Sequence, residues 1–172
     1  AVELDLEYAP RLLEWLEALR AANLSVAALT RAKYSRVPVA LPYADKLYDY
    51  QTVGCSWLVE KKRGILADEP GLGKTIQALA AADLSGAQKV LILTVNLTVQ
   101  HQWADTIRTW NLGSSAVVAG TKAERLATLG REVRWTICPI TILSSKDPVI
   151  RKRLMQKWDC IIFDEGHMLQ SK

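Results

Sequence analysis

Three short apolar runs, residues 65–67, 90–95 and 160–163, constrain this chain more than any other feature. They lack the polar alternation of a strand with one wet face, so each reads as a strand buried on both sides. Such strands belong to parallel sheets covered by helices, and helical patterns do lie between them. Val99, Trp103, Ile107 and Trp110 recur at near-helical spacing. Thr121 and Glu124 have capping-box spacing for a helix closed by Gly130, and Asp147-Pro148 opens another that turns Ile150 and Leu154 inward. Val133, Trp135 and Ile137 alternate with Arg134 and Thr136, which predicts a half-buried strand, and Val117-Val118 is a weaker strand candidate. Strands alternating with helices imply right-handed βαβ units and an α/β fold.

The first part of the chain has a different character. Residues 10–22 read as a helix with Leu12, Trp15, Leu16 and Leu19 on one face, and Ser25 is placed to cap a shorter one through residue 33. Pro38 and Pro42 break helical register, so 36–44 reads as a linker. A further helix begins at Asp45, with Leu47, Tyr50, Gly54, Trp57 and Leu58 on one face and a stop at Lys61-Lys62-Arg63-Gly64.

Hydrophobic residues make up 49% of the 172, too many for a mainly disordered chain. No stretch reaches the roughly 18–20 apolar residues that cross a bilayer. The opening AVELDLEYAP carries acids where an export signal carries bases, so the expected location is cytoplasmic, or nuclear in a eukaryote, with no membrane partner. Cys55, Cys138 and Cys160 have no metal-ligand spacing and read as reduced core thiols. The net charge of +4 leans toward polyanionic partners. Lys146, Arg151, Lys152, Arg153 and Lys157 face only Asp147 in their segment, either as the solvated face of a helix or as a phosphate-backbone contact.

The chemistry concentrates at two places. Gly71-Leu72-Gly73-Lys74-Thr75 comes directly after the first apolar run and precedes a helix with Ile76, Leu79 and Ala80. Glycines there let backbone N–H groups curl around phosphate oxygens, and the helix N-terminus adds a favourable dipole. Lys74 would neutralise the β/γ oxygens and the Thr75 hydroxyl would ligate Mg²⁺. The strict phosphate-loop spacing has glycine at 68, where this chain has Asp68, so a chance glycine turn is the competing reading. The second place is Asp164-Glu165-Gly166-His167, at the end of the last apolar run. Alone it would be a solvated acidic turn. At the tip of a strand parallel to the phosphate-loop strand, Asp164 would hold the metal through water and Glu165 would orient the attacking water. The two elements together, in this order, point to nucleotide binding with Mg²⁺.

At these residues the chain resembles a known family. ILADEPGLGKTIQ (65–77) and FDEGH (163–167) look like motifs I and II of helicase superfamily two, and more narrowly of the Swi/Snf-type DNA-dependent ATPases. LYDYQTVGCSWL (47–58) is similar to the family's glutamine motif, and VLILTVNLTVQHQW (90–103) to its motif Ia strand and the helix after it. The resemblance covers roughly residues 45–170. It implies ATP as the nucleotide and a P-loop NTPase fold, a RecA-like parallel sheet flanked by helices, over 41–172. Residues 1–40, which match nothing identifiable, read as a helical lead-in or accessory element.

The resemblance also implies roles. Gln51 would read the adenine edge, against the alternative of a helix-surface amide. Gly71, Leu72, Gly73, Lys74 and Thr75 would cradle the phosphates, with Thr75 and Asp164 on Mg²⁺ and Glu165 on water. His167 would couple the site to a second RecA-like lobe, against a plain capped turn. Thr94 and Asn96 are candidates for nucleic-acid contact or for loop capping of the helix near Leu97.

The chain also departs from the family pattern. Pro70 replaces a usual methionine, Val95-Asn96 stands where Pro-Ser is common, and Cys138-Pro139-Ile140-Thr141 stands where Ser/Thr-Tyr-Glu is usual. The sequence stops just past the second motif, leaving the lobe incomplete at its C-terminus, so a longer polypeptide or a partner chain is expected to complete it. The completing segments would include the second lobe and a strand inserted between 65–67 and 160–163. The implied function is the N-terminal motor lobe of an ATP-dependent double-stranded-DNA translocase, an ATP hydrolase inactive as this piece alone. The alternatives are an unwinding RNA or DNA helicase of the D-E-x-H group, and a lone nucleotide-binding assembly module.

Overall fold

A computed structural model describes residues 46–165. The expected helices over 10–22 and 25–33, the linker 36–44 and His167 lie outside the described residues.

The core is a four-stranded parallel sheet. Its strands are β1 (Val90–Thr94), β2 (Ser115–Val117), β3 (Trp135–Pro139) and β4 (Cys160–Phe163), in the spatial order β2-β3-β1-β4. β1 pairs with β3 (Ile92 opposite Ile137) and with β4 (Leu93 opposite Phe163), and all five of its residues are buried. The unbroken apolar run thus has its expected place, in the centre of a sheet covered on both faces.

Five helices are described: α1 (Asp49–Lys61), α2 (Lys74–Leu84), α3 (Leu97–Thr109), α4 (Lys122–Leu129) and α5 (Pro148–Leu154). α4 carries the predicted capping box between Thr121 and Glu124, and α5 starts at Pro148 with the Asp147 carboxylate accepting from the Val149 and Ile150 N–H groups. One core cluster joins Leu91 and Leu93 of β1 to Leu129, Ile142 and Ile150, so α4, α5 and a 3₁₀ turn at Ile140–Ser144 cover one sheet face. α3 packs on β1, β2 and β3, while α2 packs against α1 and α3. Among the described residues no helix is long and apolar enough to cross a membrane.

Four expectations need correction. Residues 65–67 form no strand, and Ile65 is 46% exposed. A strand exists only through its ladder, and none of the described residues pairs with this run. β3 is buried on both faces, not half-buried, with Thr136 5% exposed between β1 and β2, whereas β4, expected to be buried on both faces, leaves Ile161 47% exposed at the edge of the described sheet. Arg134, expected on a wet face, precedes the strand; it donates to the Ala87 and Leu112 carbonyls and pairs with Asp83 at 2.6 Å. Finally, α1 buries Gln51 and Cys55, while Tyr50 is 44% exposed. The helix ends at Lys61, with Lys62 in the left-handed region (φ 61°), so the stop comes two residues before Gly64.

Cys55, Cys138 and Cys160 are free thiols. Burial pushes Cys55 and Cys138 up to about 12 and also raises Cys160, which keeps all three protonated and unreactive.

Candidate nucleotide-binding site

The glycine loop is built as its composition requires. Gly71 (φ 86°) and Gly73 (φ 72°) both take the left-handed region, which a side chain would strain, and Gly73 caps the N-terminus of α2. No acidic residue occupies the first turn of α2, so its exposed N–H groups and dipole favour an anion. The space where a Gly71 side chain would stand is open. Lys74 folds back on the loop, its ammonium donating to the carbonyls of Asp68 (2.8 Å) and Glu69 (3.1 Å). Both acceptors are neutral, so phosphate oxygens would replace them with stronger, charge-assisted contacts.

Two glutamines hold this loop in place. Gln51 of α1 accepts from the Tyr48 N–H (3.1 Å) and donates to the Leu72 carbonyl (3.1 Å). It is therefore a buried clamp and not a surface amide, and it keeps one donor and one acceptor site for a base edge. Gln77 of α2, fully buried, donates to the Asp68 carboxylate (2.8 Å) and more weakly to the Leu72 carbonyl (3.5 Å). Asp68, which breaks the strict motif, is thus a bonded part of the loop. A Cβ at Gly54 would overlap the Gln77 amide oxygen, so any side chain where α1 crosses α2 would displace that amide. Sequence reasoning misses Gln77; the only available signal is a polar residue inside an otherwise apolar helix face.

The acidic half lies at the C-terminal ends of the parallel strands. The Asp164 N–H extends the ladder to the Leu93 carbonyl (2.8 Å), and its carboxylate accepts from the Trp103 indole (2.9 Å). Trp103 is 3% exposed and, from sequence, reads only as part of the apolar stripe of α3. Glu165 is exposed and sits at φ 57°, a left-handed conformation that costs a side-chain-bearing residue about 1–3 kcal/mol. Thr94 is buried, with its hydroxyl on the Asn96 carbonyl, and the Asn96 side chain caps α3 by accepting from the Val99 N–H. The capping alternative for these two residues is therefore present in the fold.

The donor set suits Mg²⁺. Among the described residues no three His, Cys, Asp or Glu side chains group closely enough to hold a metal by themselves. Mg²⁺ needs no such cage, because it keeps several waters and takes one or two protein oxygens beside substrate phosphates. Thr75 and Asp164 offer oxygens of that kind.

The chain is also similar in sequence to known proteins. The SNF2-related domain matches residues 12–172 and so reaches into the segment read as an accessory element. A human protein, SWI/SNF-related matrix-associated actin-dependent regulator of chromatin subfamily A member 1, is 30% identical over 145 residues, covering 73% of this chain and 13% of its own length. A zebrafish relative, the subfamily A protein containing DEAD/H box 1A, is 31% identical over 142 residues (73% of this chain, 14% of its own). The yeast ISWI chromatin-remodeling complex ATPase ISW2 is 28% identical over 142 residues (74% and 12%). The chain therefore spans about an eighth of the length of these three relatives. With a match across nearly its whole length, the chain belongs to the SNF2-related domain family.

Proposed function

We propose that these residues form the first motor lobe of an ATP-dependent translocase acting on double-stranded DNA. One observation carries the reading: a left-handed glycine loop at an acid-free helix N-terminus occurs together with two adjacent carboxylates at the tip of a parallel strand. Lys74 would leave its two loop carbonyls for the β/γ phosphate oxygens, while the N–H groups of α2 receive the phosphate chain. Thr75 and Asp164 would hold Mg²⁺, which would supply positive charge to offset the charge developing on the phosphates. Glu165 would orient the attacking water, and Gln51 would hold both the loop and the adenine edge. His167 is assigned to coupling with the second lobe.

We also propose that a second RecA-like lobe and one further strand complete this one. Unpartnered backbone in a sheet centre is costly to bury and adhesive when exposed. Two features support an additional strand between 65–67 and β4: the run 65–67 has no ladder among the described residues, and Ile161 on the β4 edge is 47% exposed. Domain assignment rests on the same reading, with 41–172 as the lobe and 1–40 as an accessory element.

The test compares ATP turnover with duplex and with single-stranded DNA, using the full-length protein and its Glu165→Gln variant. Stimulation by duplex that collapses in the variant, with nucleotide affinity kept, is the expected result. Preference for single strands would move the protein to the unwinding helicases, and an active Glu165→Gln variant would remove Glu165 from its role.

A further inference from the structure

Trp103 contacts Asp164 through the only hydrogen-bond donor its side chain has. The indole is buried at 3% exposure, and its N–H donates to Asp164 Oδ2 at 2.9 Å across 61 residues of sequence. The Asp164 backbone is independently fixed by its bond to the Leu93 carbonyl. The residue is thus held at both ends, by the sheet through its main chain and by α3 through its carboxylate. Among the described residues no lysine or arginine forms an ion pair with it. A cationic partner would orient the carboxylate but also cancel the charge that attracts a divalent ion. A neutral indole orients it and leaves the charge intact. Because the bond engages Oδ2, the Oδ1 oxygen and the remaining lone pair are left for a metal-bound water.

We propose that Trp103 is the positioning residue for Asp164, setting which carboxylate oxygen is presented to the Mg²⁺ of the bound nucleotide. The proposal deepens the nucleotide-binding reading and rests on it. It makes α3 more than a packing element, since this helix, capped at the tip of β1 by Asn96, sets the geometry of the acidic half of the site.

The test uses the full-length protein and a fluorescent ATP analogue titrated at a series of Mg²⁺ concentrations, with affinity measured without Mg²⁺ as the internal reference. Trp103→Phe keeps most of the ring and removes the donor, and should raise the Mg²⁺ needed for half-maximal tightening roughly three- to tenfold. Replacement of Trp103 by benzothienylalanine, which differs from tryptophan in having sulfur for N–H, should do the same if the phenylalanine variant fails to fold. In the unsubstituted protein, the indole N–H resonance missing from either variant should move on adding nucleotide with Mg²⁺ and stay in place with nucleotide and a chelator. An unaltered Mg²⁺ requirement in a folded variant, or a stationary resonance, overturns the proposal. Asp164→Asn separates the two levels. If it abolishes the Mg²⁺ effect while Trp103→Phe does nothing, the positioning role fails and the site reading stands. If Asp164→Asn also does nothing, the metal assignment of Asp164 itself fails.

Discussion

The two halves of the site are held by different means. Asp164 stands at the end of a parallel ladder, one strand from the fully buried centre of the sheet, and its position is set by register. The glycine loop has no ladder behind it among the described residues, and side chains hold it: Gln51 from α1, and Gln77 from α2 through Asp68. Backbone ladders are cooperative and tie position to global stability, whereas two amide clamps tie position to a few local bonds. Damage to the sheet should therefore cost folding, and damage to the clamps should cost nucleotide affinity.

The largest effect is expected in the sheet. Ile92 in β1 is fully buried, and Ile92→Ala should lower stability by about 2–5 kcal/mol, read by denaturant unfolding. A change below about 1 kcal/mol would mean that the central strand is less tightly packed than described. Next comes Gly54→Ala, whose methyl would meet the Gln77 amide oxygen and is expected to shift the side chain that bonds Asp68. Overpacking at this crossing should cost about 1–3 kcal/mol. Its signature is a disproportionate loss of nucleotide affinity compared with an equally destabilising sheet variant. Equal losses would erase the distinction between the two halves.

The smallest effect is electrostatic. The Gln88 and Lys89 N–H groups both donate to Asp159, holding its carboxyl below the ordinary aspartate value of 3.8 and tying the start of β1 to that of β4. A depressed carboxylate adds stability above its unfolded value and loses it as pH falls through the folded one. Asp159→Asn keeps an acceptor but removes the charge. The gap in stability between the two proteins should be constant near neutrality and close as pH drops below 3.8. A gap that widens in acid would contradict the assignment.

Legibility in the sequence divides along similar lines. Features set by local chemistry are readable: the glycine loop before α2, the capping box of α4, the Asp147-Pro148 start of α5, and the central strand. Features set by distant partners are not. The run 65–67 is apolar enough for a strand, but pairing decides strands, and none of the described residues pairs with it. Arg134 and Thr136 alternate like a wet face, yet a neighbouring strand on each side buries Thr136, and Arg134 is half-buried in an ion pair with Asp83. Gln51 reads as an adenine contact or a surface amide, and Gln77 is not read at all, until the Leu72 carbonyl and Asp68 that they serve are in place. Trp103 reads as core because a periodicity count registers its ring and ignores its N–H.

The central claim is that residues 71–75 bind the phosphates of ATP, and the direct measurement is equilibrium titration of ATP with Mg²⁺ against the native protein and Lys74→Ala. Loss of an ammonium on the β/γ oxygens removes a charge-assisted contact, so affinity should fall roughly ten- to a hundredfold while the thermal midpoint stays close to native. Equal affinity in a folded Lys74→Ala protein would contradict the account.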